Sequence, residues 1–260
     1  MGKNAYLARK RAENQRLLDI GEELLRCGAE IHRVEESIER LCLAYGCMKA
    51  DVFCITSVII LTVHDAQGKI HTQMRRVTGY GNNMARLEAI NTLCRRLCKQ
   101  PEPVRSARTA LEALRPDTTL HPWRKWIGSV LAASGFALFF GGSAMDAVCA
   151  LLVSLVICCM DFWVYRVDVN RLLYTLLCSF VAGAATLLLT RLGIGEHSGT
   201  IMIGAIMLLI PGVALTNSVR DMLGGDIIAG LLRLVESVIQ AAAIAGGFAA
   251  AILAYGAIFA

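Results

Sequence analysis

The chain has 260 residues, 55% of them hydrophobic, with a mean hydropathy of +0.53 and a formal charge of +5. This is too apolar for a protein soluble throughout. Residues 1–125 hold 35 of the 47 charged side chains, so a basic, polar first part precedes an apolar, slightly acidic second part. The expected order is a polar domain followed by a membrane domain, with no nucleic-acid partner.

The start, MGKNAYLARKRAENQRLL, has no apolar core of a signal peptide, and Tyr6 stands where an acylation signal needs Ser or Thr. Residues 10–45 carry Leu17, Ile20, Leu24, Ile31, Val34, Ile38, Leu41 and Tyr45, mostly at helical steps. Gly28 predicts a break or close contact there, and Gly46 a stop. Asp51–Ser57 and Val58–His64 read as strands. After a turn at residues 65–68, Lys69–Val77 reads as a strand paired with Val58–His64. Asn83–Gln100 predicts a helix with Met84, Leu87, Ile90, Leu93 and Leu97 along one side, and a short helix to Leu114 follows Pro103. Residues 1–115 are thus expected to form a small α+β domain, with 116–125 as linker.

This part offers little chemistry. His32, His64 and His71 lie far apart, and no His, Cys or Asp spacing matches a metal site. His64 and His71 flank the hairpin turn and are expected to face each other. Arg75-Arg76 makes a basic strand end, either solvated or open to an anion or partner loop. The ten cysteines include no CxxC pair and read as apolar fillers in a reducing compartment. Thr56 and Ser57 lack the glycines of a nucleophile elbow. No catalytic residue, cofactor or metal is expected, and the chain is not read as an enzyme.

A bilayer core takes about 20 apolar helical residues to cross. Five stretches qualify: Trp126–Met145 beside Trp123, Arg124 and Lys125; Ala147–Tyr165, interrupted by Asp161; Leu172–Thr190; Ser198–Val219, broken at Pro211-Gly212; and Ser237–Ala260. The fold class read from the sequence is therefore an α-helical membrane protein with five transmembrane helices over 126–260, preceded by a small α+β cytosolic domain. The positive-inside rule places the N-terminal domain in the cytoplasm with Arg166, Arg171, Arg220 and Arg233. Arg191 and the C-terminus fall on the other, periplasmic or extracellular side. Dense small residues at Gly183, Gly204, Gly246-Gly247 and Ala249–Ala251 predict packing against further helices, in a homo-oligomer or with a partner subunit.

Pro211–Glu236, PGVALTNSVRDMLGGDIIAGLLRLVE, holds all the charge of the last sixty residues. Pro211 removes a backbone donor, giving either a passive kink or a break that frees acceptors. Asp226, Gly230, Arg233, Ser237 and Gln240 recur at helical spacing as one small and polar stripe, and Glu236 lies three residues from Arg233. Ionisable groups beside a bilayer mark a solute route. The candidate substrate-binding or coupling residues are Pro211, Gly212, Asn217, Asp226, Gly230, Arg233 and Glu236, with Arg220, Asp221, Asp161 and Arg76 secondary. An arginine suits a carboxylate, and an acidic group an ammonium or a coupling proton.

With IGEELLRCGAEIHRVEESIERLCLAYG, TSVIILTVHD, HTQMRRV and PGVALTNSVRDMLGGDIIAGLLRLVES, the chain resembles the threonine/serine exporter family, and within it the N-terminal, larger subunit of the two-gene form. The resemblance covers essentially the whole chain. Pro211, Gly212, Asp221, Gly225, Asp226, Gly230, Arg233 and Glu236 match the family's pattern. It implies proton-motive-force-driven export of small carboxylate-bearing metabolites, threonine/serine-like amino acids, across the bacterial inner membrane. The alternatives are a succinate-type dicarboxylate exporter subunit, or a gating or assembly subunit without its own path. Single-chain members continue into a second set of spans, so a small integral membrane partner is implied.

Overall fold

The computed structural model describes residues 3–79, 81–114, 122–164 and 170–259. Arg115, most of the expected linker, Tyr165 and Arg166 lie outside the described residues. The elements in order are α1 (Lys3–Arg26), α2 (Ile31–Ala44), β1 (Lys49–Ile55), β2 (Val58–His64), β3 (Ile70–Arg76), α3 (Met84–Lys99), α4 (Val104–Ala113), α5 (Pro122–Phe139), α6 (Ala144–Val164), α7 (Arg171–Arg191), α8 (Ser198–Leu209), α9 (Gly212–Leu223) and α10 (Ile227–Phe259). Two compact units divide the chain: Met1–Thr118 with Val213–Leu234, and Thr119–Gly212 with Val235–Ala260. Residues 213–234, which fall in the apolar part of the sequence, thus group with the polar N-terminal part.

In the first unit, the sheet runs antiparallel in the order β1-β2-β3. Strand alternation puts Ile59, Leu61 and Val63 of β2 on one buried face. They join Leu17, Leu24, Ile31, Val34, Ile38, Leu41, Ile90 and Leu97 in one apolar core. The helical residues in that set follow the three-to-four spacing of the sequence, and burying them is the main drive for this unit. At the hairpin, Asp65 Oδ1 accepts the N–H groups of Gln67 (2.9 Å) and Lys69 (2.8 Å), and Asp65 Oδ2 lies 3.2 Å from His71 Nε2.

The β2–β3 register pairs Val63 with His71 and His64 with Ile70. Neighbouring strand residues point to opposite faces, so His64 and His71 do not face each other as expected. The basic strand end also divides. Arg75 turns toward α1, pairing with Asp19 and with Glu22 at 3.6 Å, while Arg76 stays exposed.

The predicted break at Gly28 separates α1 from α2. Its φ of +90° suits glycine, and the N–H groups of Gly28 and Ala29 bond the carbonyls of Leu25 and Leu24. Those two bonds form a Schellman cap. A Cβ at Gly28 would stand 2.7 Å from Asn82 Oδ1 and 3.0 Å from the Gly81 carbonyl, so space as well as backbone angle demands glycine.

Among the described residues, three helices are long and apolar enough to cross a membrane: Ala144–Trp163, Arg171–Arg191 and Ile227–Phe259. The broken pair α8 and α9 makes a fourth if counted as one span. The five expected spans are thus met in part. Helix α5 has 18 residues, and its first turns carry Trp123, Arg124 and Lys125. Its remaining apolar length falls short of a core about 30 Å thick at about 1.5 Å per residue. The chain breaks at Ile210, whose extended φ/ψ of −61°/131° is the geometry expected before proline.

Within the second unit, Asp161 is compensated. Lys125 Nζ lies 2.9 Å away, and the Tyr174 hydroxyl donates to its other oxygen. Gly247 lets helices approach: a Cβ there would meet the Leu176 carbonyl at 2.4 Å.

Gly28→Ala is expected to destabilise the protein by at least about 1–2 kcal/mol, the cost of left-handed backbone for a residue with a Cβ. Thermal unfolding of the purified full-length chain measures this, and an unchanged midpoint would contradict the account of the α1–α2 break.

Candidate solute and coupling site

Helix α9 buries Ala214, Asn217, Ser218 and Asp221, a stripe at steps of three, one and three that is polar where a core stripe is usually apolar. It ends at Gly225 (φ +100°), where the N–H groups of Gly225 and Asp226 bond the carbonyls of Met222 and Asp221. This cap turns the chain into α10. The next turn holds Gly230, where a Cβ would lie 2.6 Å from the Ser218 carbonyl and 2.9 Å from the Met222 nitrogen. The backbones of α9 and α10 therefore touch at Gly230, and Asp221 and Arg233 are brought opposite each other.

Arg233 Nη1 donates to Asp221 Oδ2 at 2.8 Å, and both side chains are 1% exposed. Arg233 Nη2 also donates to the Ala29 carbonyl at 3.3 Å. Asp221 Oδ1 accepts the N–H of Ile31 at 3.1 Å, and Asn217 Nδ2 donates to the Gly28 carbonyl at 3.1 Å. Glu30, the N-cap residue of α2, makes no side-chain cap bond. Asp221 thus serves as the cap from another helix, at the end of α2 whose dipole favours an anion. At the surface, Arg220 pairs with Glu30.

A second cluster adjoins this one on α2. Glu35 Oε1 accepts the Cys54 N–H at 2.8 Å. Burial pushes the Glu35 carboxyl up, the Cys54 bond opposes that, and the Asp226 charge adds to it. His32, Glu35 and Asp226 each place one potential donor atom within 4.8 Å of the others. Beside them is a groove of about 760 Å³, lined by His32, Arg33, Arg40, Asn91, Arg95 and Lys99 among others.

Asn217, Asp226, Gly230 and Arg233, with the secondary candidates Arg220 and Asp221, therefore share one region of the first unit. Pro211, Gly212 and Glu236 belong to the second unit, as does Asp161 with its Lys125 and Tyr174 partners. Arg76 stands exposed on β3. Sequence reasoning missed three features. The backbone of residues 28–31 carries much of the site and has no side-chain signature. His32 and Glu35 were legible as a His-x-x-Glu pair on one helix face, but their third neighbour is remote in sequence. Asp146 was missed in the second unit. It is fully buried and accepts the N–H groups of Ser143, Glu196 and His197, as well as facing His197 Nδ1 at 2.9 Å. The Ser-x-x-Asp spacing of Ser143 and Asp146 before an apolar run is a capping-box signal that would have found it.

The family model described as "Putative threonine/serine exporter" matches residues 15–255. A "Probable threonine/serine exporter" of Mycobacterium tuberculosis (strain ATCC 25618 / H37Rv) is 26% identical over 200 residues, which cover 74% of this chain and 36% of that protein. The chain thus spans about a third of the length of that curated relative. No solved structure matches.

Removing one member of a buried ion pair strands the other charge, at a cost of about 3–5 kcal/mol, whereas replacing both by apolar residues of similar volume is often near neutral. Asp221→Ala and Arg233→Met are each expected to lose that much, and Asp221→Leu with Arg233→Met to recover most of it. Unfolding midpoints of the four purified proteins test the coupling. Additive losses in the double variant would contradict it.

Proposed function

Because the chain belongs to the threonine/serine exporter family, we propose that it is a subunit of a secondary transporter that exports small carboxylate-bearing metabolites, threonine- or serine-like amino acids, across the bacterial inner membrane. The observation that carries this reading is the family match over residues 15–255 in a chain whose described residues include three or four helices long and apolar enough to span a bilayer. In this reading the polar N-terminal part and the 220–236 stretch lie on the cytoplasmic side, where an exported solute enters, and an odd number of crossings puts the C-terminus on the periplasmic or extracellular side. The proton-motive force drives export. A small integral membrane partner supplies further spans.

The polar groups divide the work. Arg233 is held by Asp221, so a substrate carboxylate reaches its guanidinium only by exchanging with the Asp221 carboxylate. Such an exchange keeps the buried cation paired, and the displaced Asp221 carboxylate, left with the Ile31 N–H, carries the cost instead. Arg220, with 59% of its side chain exposed, is the cation a solute meets first. Asp226 and Glu236 are the acidic groups for an ammonium or a coupling proton. Two arginines also suit a dicarboxylate of the succinate type, the second reading within the same mechanism.

Cells lacking the chain and loaded with a threonine-containing dipeptide are expected to export threonine several-fold more slowly. The wild-type gene restores the rate, and Asp226→Asn does not. A deficit confined to succinate would move the substrate to dicarboxylates. Unchanged efflux of both overturns the proposal.

A further inference from the structure

We propose that His32, Glu35 and Asp226 form a binding site for a divalent cation of the Mn2+ or Fe2+ type, joining α2 to the start of α10. His32 and Glu35 are three residues apart on α2, so they project from one face of one helix. Asp226 arrives from the far end of the chain, just before α10 begins. One nitrogen and two carboxylate oxygens lie within 4.8 Å of one another. Ligands around one such ion, with bonds of about 2.1 Å, stand about 3–4 Å apart, so small side-chain rotations close the set.

Three features separate this set from an ordinary surface cluster. Its positions are held: the Cys54 N–H fixes one Glu35 oxygen, and the Gly225 cap fixes the backbone at Asp226. Its donors are free: no hydrogen bond engages the His32 or Asp226 side chain among the described residues. The other such triad, Asp146, Glu196 and His197, is the contrary case, because the Asp146 oxygens already accept three backbone N–H groups and face the His197 ring. Finally, the chemistry is mixed. One imidazole with two carboxylates and no thiolate suits a hard-to-borderline ion, and His32 opens on the adjacent groove, leaving positions for water or an anionic ligand.

An ion here would tie α2 to α10 at a second point beside the Asp221–Arg233 pair. Its occupancy would therefore stiffen the turn from which the 220–236 stretch is presented. The inference stands apart from the export reading, since binding is measured without transport, and Glu236 remains for coupling if Asp226 is a ligand.

The test uses the full-length chain, purified in detergent, stripped with chelator and titrated with Mn2+, which the ten cysteines bind poorly. Electron paramagnetic resonance is expected to show one saturable site per chain, with a nitrogen modulation from one coordinated imidazole. His32→Gln should abolish that modulation, and Glu35→Gln or Asp226→Asn should weaken binding at least tenfold. Mn2+ should raise the thermal midpoint of the wild type and not of these variants, whose metal-free midpoints report that they fold. Glu196→Gln and His197→Gln should leave the site intact. Absence of saturable Mn2+ binding, or binding that survives the three ligand substitutions, overturns the proposal.

Discussion

The buried Asp221–Arg233 pair is the interaction on which the polar region depends. An ionised arginine and aspartate at 1% exposure are tolerable only when the charges face each other and further hydrogen bonds replace the lost water. Here one Asp221 oxygen takes the guanidinium and the other takes the first amide of α2, while the guanidinium reaches the Ala29 carbonyl. The pair therefore does more than neutralise itself. It caps one helix, fastens α9 to α10 and ties both to the turn at residues 28–31.

Several backbone devices exist to permit that arrangement. Gly28 takes an angle that other residues resist and occupies a space no side chain fits. Gly225 closes α9 so that α10 starts in the right direction, and Gly230 lets the two helices touch. Asn217 adds a bond from α9 to the Gly28 carbonyl.

Local order was well written in the sequence. Strand β2 occupies the expected Val58–His64, and the glycines at 28 and 46 end helices where the periodicity stops. These features depend on neighbouring residues, so a linear reading reaches them. Register was not legible, because a one-residue offset at the hairpin reverses faces, and it separated His64 from His71. The length of α5 was misjudged because the apolar run Trp126–Met145 outlasts the helix: the chain turns after Phe139 and α6 begins at Ala144. The site was legible as a list of residues and not as a set of pairs. A helical-stripe argument ranks neighbours along one helix, whereas the partner of Arg233 sits across a turn, which left Asp221 among the secondary candidates. The 28–31 backbone and the triad of His32, Glu35 and Asp226 depend on tertiary contacts that no local spacing reveals.

Asp221 holds the first turn of α2, and amide hydrogen exchange at Ile31 reads that contact directly. In the full-length wild type the Ile31 amide should be strongly protected, because it donates to a buried carboxylate. Asp221→Leu, which removes the acceptor, paired with Arg233→Met to avoid a stranded charge, should speed exchange over residues 29–33 by an order of magnitude or more while the β2 amides stay slow. Unchanged protection at Ile31 in that variant would contradict the account.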